Sequence, residues 1–284
     1  MNAASANPDW SADVCRRIEQ AIESAFAACP PTEILRAARY ATLGGGHRWR
    51  GRLAVAAGAI FRADANEIAL PLAAALEMLQ AASLVLDDLP SMDDAATRRG
   101  RACVHLVFPD WAVDLLPAFL VNLAYHVVLD RTAAPEGCRI RALTLLGEAG
   151  TRLAHGQELD LALARTSATE AEWLECYALK SGSLFAAALA GGATLCGAGE
   201  ADVAALRETG LKLGQAYQIL DDVADGPEEG RADKAAGRLT YCSLMGPVAA
   251  RARAEKLLEE AAQMLARFGP AAGRLRGLLD QIRA

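Results

Sequence analysis

Apolar residues recur at every third and fourth position along nearly the whole chain, and the period-two alternation of strands is absent. The pattern predicts helices. One opens after Thr32 and must end by Gly44-Gly45-Gly46, because three glycines carry a large backbone entropy cost and admit positive φ. A second covers about Arg48 to Phe61. Asp64 and Glu67 stand at capping-box spacing before a run that is apolar nearly all round and ends at Asp88, where Pro90 disfavours helical geometry at Leu89. At about 1.5 Å per residue that helix is roughly 30 Å long and is expected to be central. Further helices are expected over about Trp111 to Thr132, Pro135 to Leu163, Glu170 to Lys180, Ser181 to Gly197, Glu200 to Asp222, and from Pro247 to the C-terminus. Thr169 with Glu172 makes a second capping box. Gly226 to Gly237 is polar and Gly/Ala-rich and reads as a flap. No Pro/Ser-rich linker, charge block or solenoid repeat divides the 284 residues, so the expectation is one all-α domain over residues 1–284.

Composition agrees. Hydrophobic residues make up 53% but aromatics only 5%, so the apolar mass is Ala and Leu rather than sheet formers. The net charge of −6 and the absence of a long basic run argue against a nucleic-acid partner. Seven cysteines stand singly with no C-x-x-C pair, which fits a reducing compartment rather than a disulfide framework or structural zinc. The first residues show no targeting signal, so a cytoplasmic location is expected. The apolar stretch Ile68 to Leu86 is interrupted by Pro71, Glu77, Gln80 and Ser83, so it reads as a buried helix rather than a stable membrane insertion.

Two aspartate clusters carry the chemistry: Asp87-Asp88-Leu-Pro-Ser-Met-Asp93-Asp94 and Asp221-Asp222-Val-Ala-Asp225, each at the C-terminal end of a long apolar helix. The negative end of a helix dipole disfavours an acid by about 0.3–1 kcal/mol, and neighbouring acids repel one another as well. Something cationic is expected to compensate. Asp221 and Asp225 lie at i, i+4 and Asp222 and Asp225 at i, i+3, so one face can present several carboxylates, hard oxygen ligands suited to Mg²⁺ that also bridges phosphate oxygens. Arg98 and Arg99 follow the first cluster, and guanidinium forks suit a diphosphate.

The segment Glu77 to Gly100, with Gly214-Gln-Ala-Tyr-Gln218-Ile-Leu-Asp221-Asp222-Val-Ala-Asp225, resembles the trans-isoprenyl diphosphate synthases, the polyprenyl synthetases that make farnesyl and geranylgeranyl diphosphate. The resemblance runs from about Leu43 to Gly246, with smaller matches at Gly45–Gly51, His105, Gly156-Gln157, Lys180-Ser181-Gly182 and Gly237–Tyr241. It implies the isoprenoid synthase fold, an antiparallel helical bundle around a central apolar cavity, as a homodimer. It implies three Mg²⁺ ions, with Mn²⁺ able to substitute, and as substrates isopentenyl diphosphate and an allylic diphosphate. Carried over, Asp87, Asp88, Asp93, Asp221, Asp222 and Asp225 would ligate or orient the metal. Arg98, Lys180, Ser181, Gln218 and Arg238 would hold the allylic diphosphate. Gly46, His47, Arg50, Gln80 and Arg99 would hold isopentenyl diphosphate, with Asp87, Asp88, Asp221 and Lys180 at the centre of catalysis.

The chain departs from the family at His47, commonly Lys, at Gly51, commonly Pro, and at Gln80, often His. Arg231 and Arg238 stand where Lys is frequent. An imidazole is shorter than a Lys side chain and is charged only when protonated, so weaker or pH-dependent binding at that subsite is expected. Product length is expected from a floor of Leu79, Ala82 and Ser83. The small Ala82 and Ser83 favour geranylgeranyl over farnesyl diphosphate. A terpene cyclase on the same scaffold and a non-catalytic partner subunit are the competing readings. P-loop, dinucleotide-fold, zincin and hydrolase motifs are absent.

Overall fold

Thr32 caps a helix as its position predicts: its hydroxyl accepts the amide of Leu35 at 3.3 Å, satisfying one of the orphan donors of the first turn. In the computed structural model, which describes residues 8–166, 168–224 and 239–283, this helix is α2 (Glu33–Thr42). It follows α1 (Pro8–Ala27), an amphipathic helix that the sequence reading did not assign. After the glycine run comes α3 (Trp49–Gly58).

The long helix expected from Asp64 to Asp88 is two. A short α4 (Ala65–Ile68) is separated at Ala69 from α5 (Leu70–Asp87). Asp64 makes no capping bond; its carboxylate instead accepts from Arg62 at 2.8 and 2.7 Å. Pro71, which lacks an N–H, sits in the first turn of α5, the position where a helix tolerates it. A minimal hairpin, β1 (Thr97–Arg98) with β2 (Arg101–Ala102), follows, and its register pairs Thr97 with Ala102.

Next come α6 (Asp110–Arg131), α7 (Glu136–Leu163) and α8 (Glu170–Tyr177), the last opened by the reciprocal Thr169/Glu172 capping box that its spacing predicts. A π-helical turn, Ala178–Gly182, joins α8 to α9 (Ser183–Leu195). The remaining elements are α10 (Glu200–Ala224), α11 (Tyr241–Met245), α12 (Pro247–Met264) and α13 (Gly273–Arg283). The single C-terminal helix expected from Pro247 is thus broken: Gly269 takes φ 54° ahead of Pro270, within a 3₁₀ segment.

The bundle is built around α9, every residue of which is buried, with α3, α7 and α10 packed on it and α5 packed on α6 and α3. Among the described residues two helices, Leu70–Asp87 and Asp110–Arg131, are long and apolar enough to cross a membrane by length and composition; 61% of the first, and 39% of the most apolar 18 residues of the second, is buried inside the bundle.

Candidate active site

A cavity of about 970 Å³ opens between the C-terminal ends of α5 and α10. On α5 the side chains turn by about 100° per residue, so Gln80, Ser83, Leu84 and Asp87 share the face toward the cavity, and all four line it. On α10 the same periodicity brings Tyr217, Gln218, Asp221 and Asp222 to the opposite wall. The two aspartate clusters therefore meet across one space, with Asp87 and Asp93 on one side and Asp221 and Asp222 on the other. Where the resemblance implies an apolar cavity, the walls of this one are mostly polar, because the acids, cations and amides of α5, α10 and the π-turn crowd its mouth; Leu84, Leu153, Tyr177 and Tyr217 are among its apolar and aromatic residues.

The electrostatics reflect this crowding. Burial, reinforced by Asp93 and only partly offset by Lys180, pushes the Asp87 carboxyl up to about 6. Burial raises Asp222 to about 7 despite hydrogen bonds from Tyr177 and Gln218. Burial thus disfavours the charged form of both carboxyls, a cost that a cation placed between them would relieve.

Lys180 lies in the π-helical turn and donates to Asp160 at 2.6 Å. Burial opposes its charge, but Asp160, Asp87 and Asp93 outweigh that and raise its pKa. A π-turn adds one residue to a helical turn and so redirects the side chains on it, here presenting Lys180 and Ser181 to the cavity. Gly156 of α7 makes this possible: a Cβ there would lie 2.2 Å from the Lys180 amide nitrogen. Ser181 donates to Gln218 at 2.5 Å, and Gln218 donates to Asp222 at 3.2 Å.

Asp88, expected to ligate or orient the metal, does not line the cavity. It caps α5 about 100° round from Asp87, is 3% exposed, and accepts from Arg98 Nε at 3.0 Å and from Nη2 at 2.5 Å. Burial opposes the Arg98 charge, but the Asp88 bond more than compensates and raises its pKa. Arg98 still reaches the cavity wall. Arg99 takes φ 53° and donates to the Gly45 carbonyl at 2.6 Å, while its guanidinium lies 2.7 Å from where a Gly46 Cβ would stand. Only glycine fits at Gly46, which has φ 108°. Arg50 stacks over Phe185 at 4.8 Å, and its Nε is buried with no hydrogen-bond partner. Desolvation lowers the pKa of this guanidinium. Exposed His47 stacks on Trp49 at 5.7 Å and lines the same cavity, as does Gln80.

Of the three residues expected to form the floor, Ser83 faces the cavity. Ala82 and Leu79 do not line it: both are buried in the core, because Ala82 lies about 140° round α5 from Asp87. Asp225, Arg231, Arg238 and the Gly226–Gly237 segment lie outside the described residues. Two of the cavity residues that the sequence does not single out make hydrogen bonds at the site. Asp160 was legible in principle, since it lies at i+3 from Gln157 on one face of α7; Tyr177 gave no signal beyond being a buried aromatic.

Among the described residues no three His, Cys, Asp or Glu side chains form a ready-made metal site. Oxygen-only donors facing each other in small groups suit Mg²⁺, which keeps water and phosphate oxygens in its shell rather than demanding a full protein cage. The raised pKa values of Asp87 and Asp222, with the orphaned Arg50 donor, fit a site completed by cations and an anion together.

Comparisons with known proteins converge on one family. Residues 31–266 match the family model described as polyprenyl synthetase. The chain is 36% identical over 97% of its length to a "Probable farnesyl diphosphate synthase" of Sinorhizobium fredii, of which it covers 87%. It is 36% identical over 92% of its length to geranylgeranyl pyrophosphate synthase 12, chloroplastic, of Arabidopsis thaliana, covering 77% of that protein. The crystal structure of an FPP/GFPP synthase from Zymomonas mobilis superposes with a TM-score of 0.83 at 30% identity, covering 96% of this chain and all of that one. The helical bundle is thus the isoprenoid synthase fold, and the chain belongs to the polyprenyl synthetase family.

Proposed function

We propose that this short-chain prenyltransferase is a Mg²⁺-dependent geranylgeranyl diphosphate synthase that condenses an allylic diphosphate with isopentenyl diphosphate. The observation that carries the reading is the convergence of Asp87 and Asp93 with Asp221 and Asp222 on one cavity that also holds Lys180, Arg50 and Arg99. Asp87, Asp93, Asp221 and Asp222 would hold Mg²⁺, which when bound supplies Lewis-acid withdrawal of charge from the departing diphosphate. Lys180 and Arg98 bind the allylic diphosphate from the protein side, with Ser181 and Gln218 orienting it. As the carbon–oxygen bond breaks, these cations stabilise the charge that develops on the leaving oxygen. Arg50, Arg99, His47 and Gln80 hold isopentenyl diphosphate so that its double bond attacks the allylic carbon. The proton then lost from the new intermediate passes to the departed diphosphate. Placing the reactants side by side, out of bulk water, supplies much of the rate and protects the cation.

The small Ser83 on the cavity face favours growth past fifteen carbons, toward geranylgeranyl rather than farnesyl diphosphate. The exposed apolar side chains Trp111, Leu115 and Leu129 on α6, with Ile140 on α7, suit burial against a second copy in a homodimer. Free cysteines throughout suit the cytoplasm.

The test is to incubate the purified protein with dimethylallyl, geranyl or farnesyl diphosphate, isopentenyl diphosphate and Mg²⁺, and to profile the products. Linear twenty-carbon diphosphate supports the reading. Hydrocarbon formed without isopentenyl diphosphate makes the protein a cyclase, and inactivity of the protein by itself makes it a partner subunit.

A further inference from the structure

We propose that Tyr177 is a positioning residue, fixing the orientation of the Asp222 carboxylate and coupling it to the docking of α11. The inference deepens the metal and diphosphate reading above and rests on it. Tyr177 ends α8 with its ring 2% exposed, packed between Trp173 at 5.6 Å and Tyr241 at 6.2 Å between ring centroids. Its hydroxyl has one proton and accepting lone pairs, and the structure uses both capacities. The proton goes to Asp222 Oδ2, and the oxygen accepts the backbone N–H of Tyr241 at 3.3 Å. That amide is the first of α11, one of the donors a helix start leaves without an intrahelical partner.

The other oxygen of Asp222, Oδ1, accepts from Gln218, which in turn accepts from Ser181. Asp222 is therefore clamped from both sides, each oxygen keeping capacity for one more partner. Gln218 belongs to α10 itself, one turn back. Among the described residues Tyr177 is the donor that comes from another element, and so the one that ties the carboxylate to the rest of the fold. The start of α11 is fastened to the same region a second time, by the Tyr241 hydroxyl donating to Glu170 of α8 at 2.9 Å. It is fastened a third time by the Leu239 amide donating to Ala164 beyond α7 at 3.0 Å. The start of α11 is thus held beside the same phenol hydroxyl that donates to a carboxylate of the cavity.

Removal of that phenol by Tyr177→Phe leaves the ring packing in place, deletes one donor to Asp222 and orphans the Tyr241 amide. The test is a thermal-shift titration of Mg²⁺ in the presence of inorganic diphosphate, which reads binding without turnover, run beside steady-state kinetics. The expected result is a half-saturating Mg²⁺ concentration raised by about tenfold, the effect of losing one hydrogen bond to a charged group. A fall in kcat with an unchanged KM for isopentenyl diphosphate should accompany it. In an Asp222→Asn background the same change should add nothing further, because both substitutions act through one carboxylate. A wild-type Mg²⁺ requirement in Tyr177→Phe, or effects that add fully to those of Asp222→Asn, overturns the proposal. A variant that only melts earlier, or does not fold, assigns the hydroxyl a purely structural role and overturns it as well. Failure of the unmodified protein to respond to Mg²⁺ with diphosphate is a different result: it removes the functional reading itself, and this inference falls with it.

Discussion

Replacing Asp87 by Asn should stabilise the metal-free protein while abolishing its turnover. In the folded chain burial raises this carboxyl from its ordinary value of 3.8 to about 6. An acid whose pKa is raised by folding destabilises the fold wherever it is ionised. The penalty is nearly absent at pH 4 and below, grows as pH rises from the unfolded value toward the folded one near 6, and is complete above about pH 7. A rise of roughly two units corresponds to about 3 kcal/mol. Solvent at the cavity mouth screens part of this, since Asp87 is only partly buried, leaving about 1.5–3 kcal/mol. With an unfolding entropy of about 2.1 cal/mol/K per residue, this predicts a rise in Tm of about 3–5 °C for a chain of this length. The assay is thermal unfolding in EDTA at pH 8 and at pH 4, with product formation measured separately at saturating Mg²⁺. The gain should appear at pH 8, vanish at pH 4, and accompany a loss of turnover of about a hundredfold or more. An equal gain at both pH values, or none at pH 8, would refute the electrostatic account; retained turnover would refute the assignment of Asp87 to the metal.

Three further outcomes are expected. Ser83→Phe should shorten the product, read by chain-length profiling, whereas Ala82→Phe, which points into the core, should instead cost about 1–3 kcal/mol of stability by overpacking. Gly156→Ala should lower both Tm and turnover, because its Cβ would have to push the Lys180 backbone away from a 2.2 Å approach; normal kinetics would show that the π-turn tolerates displacement. His47→Lys should lower the KM for isopentenyl diphosphate by supplying a permanent cation at the cavity wall, and an unchanged KM would mark His47 as a surface partner of Trp49 only.

Helical class, the positions of the two aspartate clusters and the capping at Thr32 and Thr169 were legible in the sequence, because each depends on neighbours within one or two turns. The breaks at Ala69 and Gly269 were harder to read. At each, a proline with a locally sound alternative competed with a strong apolar period, and only packing decided whether the helix ran on or restarted. Within the site, local periodicity told which residues share a face but not which face looks inward. The resemblance groups Asp88 and Ala82 with Asp87 and Ser83, and the bundle turns the first pair away from the cavity.

What the sequence by itself determined is the inventory: an all-helical chain with two acid-tipped helices and cations placed to meet an anion between them. What only the tertiary structure decided is the division of labour, with Asp88 committed to Arg98, Lys180 held by Asp160 across a glycine contact, and Asp222 clamped by a tyrosine 45 residues away in sequence. Each of those partnerships depends on a contact between helices, and pairwise distance across a bundle is not encoded by spacing along any one of them.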